Sequence, residues 1–176
     1  GLFPESIESI RAEFYGLLPQ ENIRVWYAPG PVADMDPTNK ARQEAAELMR
    51  EAFLRSLQPD VILIVSLFEG YFDDAVTSIG KLDNNTPVSV VLYDLIPLIH
   101  QERYLGDPNF RNHYFEKIQS IKRAKLLLSV SESSAQEAIT HLSWSSDGVV
   151  NISAAADDFF KPVRISPVEA EGLYKK

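Results

Sequence analysis

An α/β protein built on a Rossmann-like, doubly wound and mostly parallel sheet is the fold class that this 176-residue sequence predicts. Three observations carry that expectation. Short apolar runs rich in β-branched or leucine residues, such as VILIV at 61–65 and KLLLSVS at 125–131, have the look of strands covered by helices. Stretches with helical apolar spacing lie between them. Helix starts are marked by an acid followed by proline, at Asp36-Pro37 and again at Asp107-Pro108, because a carboxylate caps the free amides and proline lacks an N–H that would have no partner there.

Taken in order, Ile7, Ile10, Phe14 and Leu17 predict an amphipathic helix over 5–18, and IRVWYAP (23–29) predicts a strand ending in a loop at Pro29, Gly30 and Pro31. A long helix follows Asp36, with Ala41, Ala45, Leu48 and Ala52 on one apolar face. After VILIV, a weaker helix is expected over 72–80, with Asp73 and Asp74 as acids at its start and Gly80 at its end. VSVVLYD, after Pro87, is the next strand; the helix behind Asp107 then turns Phe110, Tyr114, Ile118 and Ile121 inward. KLLLSVS leads into SESSAQEA, where Ser133 with Gln136, or Ser134 with Glu137, makes a capping box ahead of Ala135, Ala138, Ile139 and Leu142. GVVNIS (148–153) is a fifth short strand.

The chain opens on a helix where a doubly wound domain ordinarily opens on a strand, and Ser166, Pro167 and Glu169 begin a helix close to its end. Both ends are therefore expected to be cut from a longer protein. Residues 1–163 would form an amino-terminal domain, and 164–176 would open a linker or helix toward a carboxy-terminal one.

A hydrophobic fraction of 45% with 24% charged residues fits one folded domain. The net charge of −8 repels a polyphosphate backbone, so no nucleic-acid partner is expected. The longest apolar run is far shorter than the roughly 20 residues that cross a bilayer. With no cysteine there is no disulfide framework, which suits a cytoplasmic protein.

In open α/β sheets, ligands gather beyond the carboxyl ends of the strands, where helix amides and loop backbone converge. Tyr93 and Asp94 fall at such an end, with Pro97 stiffening the loop behind them and His100 beyond it. Asp94 reads equally well as the cap of a turn, and His100 as a hydrogen-bonded structural histidine. Glu69 and Gly70 follow another strand, and Ser131, Glu132, Ser133 and Ser134 follow a third, where hydroxyls and free amides could hold a phosphate or a sugar hydroxyl; capping alone also explains them. Asp34-Met-Asp36 has the D-x-D form of metal-dependent sugar transferases, but two acids before a helix read as caps. The three histidines lack ligand spacing, so no metal site is expected. G-x-G-x-x-G, the P-loop pattern and G-x-S-x-G are all absent.

Three segments in order, VVLYDLIPLIHQERYL, KRAKLLLSVSESSAQEA and VVNISAAADDFFKPV, resemble the amino-terminal domain of family-four retaining glycosyltransferases of the GT-B fold, in the bacterial mannosyltransferase-like branch. The resemblance covers residues 60–163 well and the first sixty only by order of elements. It implies a metal-independent, cofactor-free enzyme that moves a sugar, mannose in that branch, from a nucleotide-sugar donor to a glycan or lipid-linked acceptor. The amino-terminal domain would shape the acceptor side, and the carboxy-terminal domain would hold the nucleotide. The parent protein would associate peripherally with a membrane, and the present residues alone would be inactive. On the same analogy Asp157, Phe160 and Pro162 mark the interdomain edge, although Ser153 to Ala156 stand where relatives carry glycine and valine. Many relatives have His-Asp where this chain has Tyr93-Asp94; a phenol hydrogen-bonds well but carries protons poorly at neutral pH, so Tyr93 is assigned sugar binding. Two other readings stay open: a nucleotide-sugar epimerase of the same architecture, and a non-catalytic carbohydrate-binding or interaction domain.

Overall fold

The computed structural model describes residues 6–156 and Phe160. Four strands, β1 (Ile62–Ile64), β2 (Val88–Leu92), β3 (Leu126–Ser129) and β4 (Val149–Asn151), form one all-parallel sheet in the order β1-β2-β3-β4. The helices are α1 (Ile7–Glu13), α2 (Lys40–Ser56), two single turns α3 (Ile96–Ile99) and α4 (Gln101–Tyr104), α5 (Pro108–Ile121) and α6 (Glu132–Leu142). The α/β class and the parallel sheet are those the sequence predicts.

Strand order equal to chain order has a geometric consequence. Right-handed crossovers that always step the same way place every connection on one side of the sheet. That side carries the core: Val88, Val90, Leu92 and Leu127 pack against Tyr114, Ile118 and Ile121 of α5 and Ala138 and Leu142 of α6. Leu54 of α2 meets Ile62, Ile64 and Val88 around a small cavity on the same side. The other side is less covered among the described residues, with Leu63 53% and Val150 46% exposed and half-buried Val91 and Leu128 in one row with Val150. A continuous apolar run such as 61–65 implies a strand covered on both faces; among the described residues β1 is covered on one.

Around α5 and α6 the local signals hold. Asp107 accepts the Phe110 amide at 2.7 Å with Pro108 in the first turn, and Tyr114, Ile118 and Ile121 are buried. The cap of α6 lies earlier than either box the sequence suggested: Ser131 Oγ accepts the Ser134 amide at 3.1 Å.

On the other flank the sequence signals fail in an informative way. Residues 23–29 form no strand; Trp26 and Ala28 instead pack with Val32, Ala46 and Val76 in a second, small cluster. The first helix is shorter than expected and buries nothing, leaving Phe14 and Leu17 exposed. Asp36 does cap the turn ahead of α2, accepting the Thr38 amide at 2.9 Å. The inner face of α2, however, is Gln43, Ala46, Glu47 and Glu51, while Ala41, Ala45, Leu48 and Ala52 face outward.

The reason is what α2 faces. No helix forms over 72–80, and the whole stretch 65–87 lacks regular structure. Its backbone groups, which must find partners when buried, find them in distant side chains. Glu51 accepts the amides of Lys81, Leu82 and Asp83 at 2.9, 2.6 and 3.1 Å and the Ser78 hydroxyl at 2.7 Å. Burial raises the Glu51 carboxyl, but these donors outweigh it and hold the group below its ordinary value. Asp74 accepts the amides of Val32 and Ala33 at 2.6 and 3.1 Å, so it does not begin a helix. The buried Lys117 ammonium donates to Thr77 O and Oγ1 at 2.9 and 2.6 Å.

Candidate functional site

A cavity of about 230 Å³ opens at the carboxyl ends of β1 and β2. Ser66, Phe68, Tyr93, Asp94, Phe110, His113 and Tyr114 are among its lining residues, with Leu67, Val91 and Pro97. It exists because β1 and β2 both release their chains there, and because α5 lays an aromatic face against the gap: Tyr114 stacks on Phe68 with ring centres 5.0 Å apart.

The Tyr93–Leu95 backbone is pinned from α6. Ser134 donates its hydroxyl to the Tyr93 carbonyl, and Glu137 accepts the Leu95 amide at 2.8 Å. Asp94 accepts the Ile96 amide through Oδ1 at 3.0 Å, while the residue as a whole remains exposed on the cavity wall. It thus caps a turn and faces the hollow at once. Tyr93 is 58% exposed beside it.

The remaining candidate residues lie around this centre at different removes. Glu69 is exposed and accepts the hydroxyl of Ser66, which does line the cavity, at 2.7 Å. Gly70 sits at φ +94°, and a Cβ there would lie 2.3 Å from the Ala75 carbonyl oxygen, so only glycine fits. Ser131, with Ser134, builds the helix start; Ser133 is exposed, and Glu132 is exposed with its carboxylate 3.5 Å from Asn151 Nδ2. His100 is exposed and borders a separate hollow of about 590 Å³ with Ile96, Arg103 and Tyr104. Phe160 is 75% exposed, and Asp157 and Pro162 lie outside the described residues.

Two residues that the sequence did not single out as site residues form the floor. His113 is buried on α5 with Nδ1 2.9 Å from Asp34 Oδ2. That contact holds the Asp34 carboxyl below its ordinary value, with Lys40 adding to the effect. The Asp34 carboxylate can only accept, so the proton on this bond belongs to His113 Nδ1. His113 Nε2 is buried without a hydrogen-bond partner among the described residues, and so is the Tyr114 hydroxyl. The Leu98 backbone lies near that hydroxyl but outside hydrogen-bonding geometry. Seventy-nine residues separate Asp34 from His113, and no spacing rule joins them; the D-x-D signal drew attention to Asp34 for a different chemistry.

A second hollow, about 470 Å³ between α2 and α5, is lined mostly by charged groups that already have partners. Lys40 pairs with Glu116 at 3.0 Å, Lys81 pairs with Glu47, and Arg123 donates to the Ile79 carbonyl at 3.0 Å. It holds the fold and offers a ligand little. No helix among the described residues is long and apolar enough to cross a membrane.

The chain is homologous to a segment of larger glycosyltransferases. It is 35% identical over 172 residues to a protein of Escherichia coli named serotype-specific mannosyltransferase WbdA, an alignment that takes in 98% of this chain and 21% of the relative. A second E. coli protein of the same name is 34% identical over 177 residues, covering 100% of this chain and 22% of the relative. The chain therefore spans about a fifth of the length of the curated relatives it matches. No family model matches it, and no solved structure does.

Proposed function

We propose that these residues are the acceptor-side domain of a retaining glycosyltransferase of the GT-B, family-four type, transferring mannose from a nucleotide-sugar donor to a glycan or lipid-linked acceptor. Residues 1–163 form that domain, and 164–176 lead toward a carboxy-terminal domain that binds the nucleotide. The observation that carries the reading is the cavity at the carboxyl ends of β1 and β2 with Tyr93 and Asp94 on its wall, in a chain homologous to part of a mannosyltransferase.

In this reading Asp94 and Tyr93 hold hydroxyls of the sugar, and the aromatic wall packs on its C–H face. Proton transfer is not assigned to Tyr93. Stabilising the departing nucleotide diphosphate needs basic groups or helix amides aimed at it, and the second domain supplies them. The parent protein works in the cytoplasm, at the membrane surface when its acceptor is lipid-linked.

The test is mannosyl transfer from the nucleotide-activated sugar to a mannose-terminated acceptor by the full-length parent polypeptide. Asp94→Asn is expected to lower kcat/KM about 100-fold. Undiminished transfer by that variant would remove Asp94 from the site. Epimerised nucleotide sugar in place of transfer would favour the epimerase, and saccharide binding with no turnover would favour a non-catalytic domain.

A further inference from the structure

The hollow of about 590 Å³ beside His100 has a size ordinary for a ligand site, roughly 300–1,000 Å³. It is the crook of an elbow: α3 ends and α4 begins at His100, where the backbone leaves helical angles (φ −116°, ψ 53°). Ile96 and Ile99 come from one arm, and Glu102, Arg103 and Tyr104 from the other. Both arms are anchored. Leu95 before the elbow and Leu105 after it are buried in the main core, and Gln101 at the bend is tied to the Leu98 carbonyl and to Arg111 at 3.1 Å each. A shape held in this way loses little freedom when something binds in it.

What lines the crook is unspent. The side chains of His100, Glu102 and Arg103 and the Tyr104 hydroxyl make no hydrogen bond or ion pair with the described residues, and all four residues are exposed, so a ligand reaches them freely. In the hollow between α2 and α5, by contrast, Lys40 and Lys81 are paired with glutamates. Among the polar groups of the crook stand exposed Ile96 and Ile99 and the Tyr104 ring, which is steadied by the Arg103 guanidinium 5.6 Å from its centre. Apolar carbon beside donors and acceptors suits a sugar, whose C–H faces and hydroxyls need both. Charge decides against the rival ligands. Arg103 and Glu102 offset each other and the chain carries −8 overall, so neither a free phosphate nor an anionic lipid surface is drawn here, whereas a neutral glycan is not repelled.

The place of the elbow says which sugar of a glycan it would hold. Ile96 lines this hollow and its neighbour Pro97 lines the cavity at the ends of β1 and β2, so a single turn of chain, about 6 Å long, divides the two. We propose that the crook of α3 and α4 is a second acceptor subsite, holding an internal sugar of a neutral oligosaccharide whose terminal sugar lies at Tyr93 and Asp94. Tyr104 and Ile99 take the C–H face of that internal ring, and His100, Glu102 and Arg103 take its hydroxyls. The inference rests on the glycosyltransferase reading above and adds to it a preference for chains over single sugars. His100, which the sequence places with Tyr93 and Asp94, thus belongs to the acceptor one sugar further along.

The experiment is calorimetric titration of the full-length parent polypeptide, without donor, with methyl α-mannoside and with α-linked mannotetraoses. The best tetraose is expected to bind about tenfold more tightly than the monosaccharide. Tyr104→Ala removes the ring and Arg103→Gln the charge; both positions are exposed, so an unchanged Tm is expected. Each variant is expected to lower the ratio of the two affinities about three- to tenfold. Equal affinity for the two sugars in the native protein would overturn the subsite, as would a ratio that survives in both folded variants. Loss of binding to vesicles of anionic phospholipid in those variants, with the sugar ratio kept, would overturn it in favour of a membrane contact. Because no donor is present, the outcome is separate from the transferase reading, which is decided by transfer in Asp94→Asn. Transfer without a preference for the longer sugar defeats the subsite alone. A preference that falls in both variants of a protein without transfer upholds the subsite and defeats the transferase reading.

Discussion

The two loops that leave neighbouring strands of this sheet are built on different principles. After β2 the chain turns within three residues into α3, and the turn is fixed by short-range caps and by two side chains of α6. After β1 it runs from 65 to 87 without a helix, and carboxylates and an ammonium from α2 and α5 stand in for the missing secondary structure. The first loop is held by patterns that recur in many proteins. The second is held by particular charges, of which Glu51 alone accepts three backbone amides.

If that contrast is right, charge removal should hurt the second loop more than cap removal hurts the first. Glu51→Gln is the largest expected effect. Its carboxylate accepts three amides and a hydroxyl, and a neutral amide oxygen cannot replace it, so chemical denaturation should show a loss of about 3 kcal/mol. A loss below about 1 kcal/mol would mean that water already shares these amides.

Next comes pH. Burial lowers the Lys117 ammonium to about 8 from its ordinary 10.5. The unfolded chain therefore binds more protons between those values, and stability rises with pH there; below about 8 both states are charged and the penalty is constant. The gain should reach about 2 kcal/mol by about pH 9.5 and be absent in Lys117→Met, as read from denaturation midpoints across that window. Tyr114, raised by burial, acts in the opposite sense only at higher pH.

Ser134→Ala is the smallest of the three. It removes one hydroxyl from the Tyr93 carbonyl and from the α6 cap, for about 1 kcal/mol, with faster amide exchange confined to 93–96. Exchange that quickened equally over 65–87 would show the two loops to be one cooperative unit.

The same contrast explains what could be read from the sequence. β2, β3, α5 and α6 are legible because alternation, helical spacing and the Asp107-Pro108 start act over a few residues. The helix expected over 72–80 was an error of locality: Asp73 and Asp74 look like helix-start acids, but Asp73 turns back to the Ala75 amide and Asp74 reaches Val32 and Ala33. The face of α2 was misjudged for the same reason, since its alanines satisfy the apolar pattern while its glutamates have the partners. At the site, Tyr93 and Asp94 could be placed because strand ends are predictable. His113 and Tyr114 appeared only as a histidine without ligand spacing and a core aromatic, because what distinguishes them is an unmet hydrogen bond.

Because every crossover lies on one side of the sheet, Leu63 and Val150 report on whatever the parent polypeptide lays over the other. A lysine at either position costs little when that surface meets water and several kcal/mol when it is capped by protein, so tolerance to charge at two points would map the seam along which this unit is joined to its neighbours.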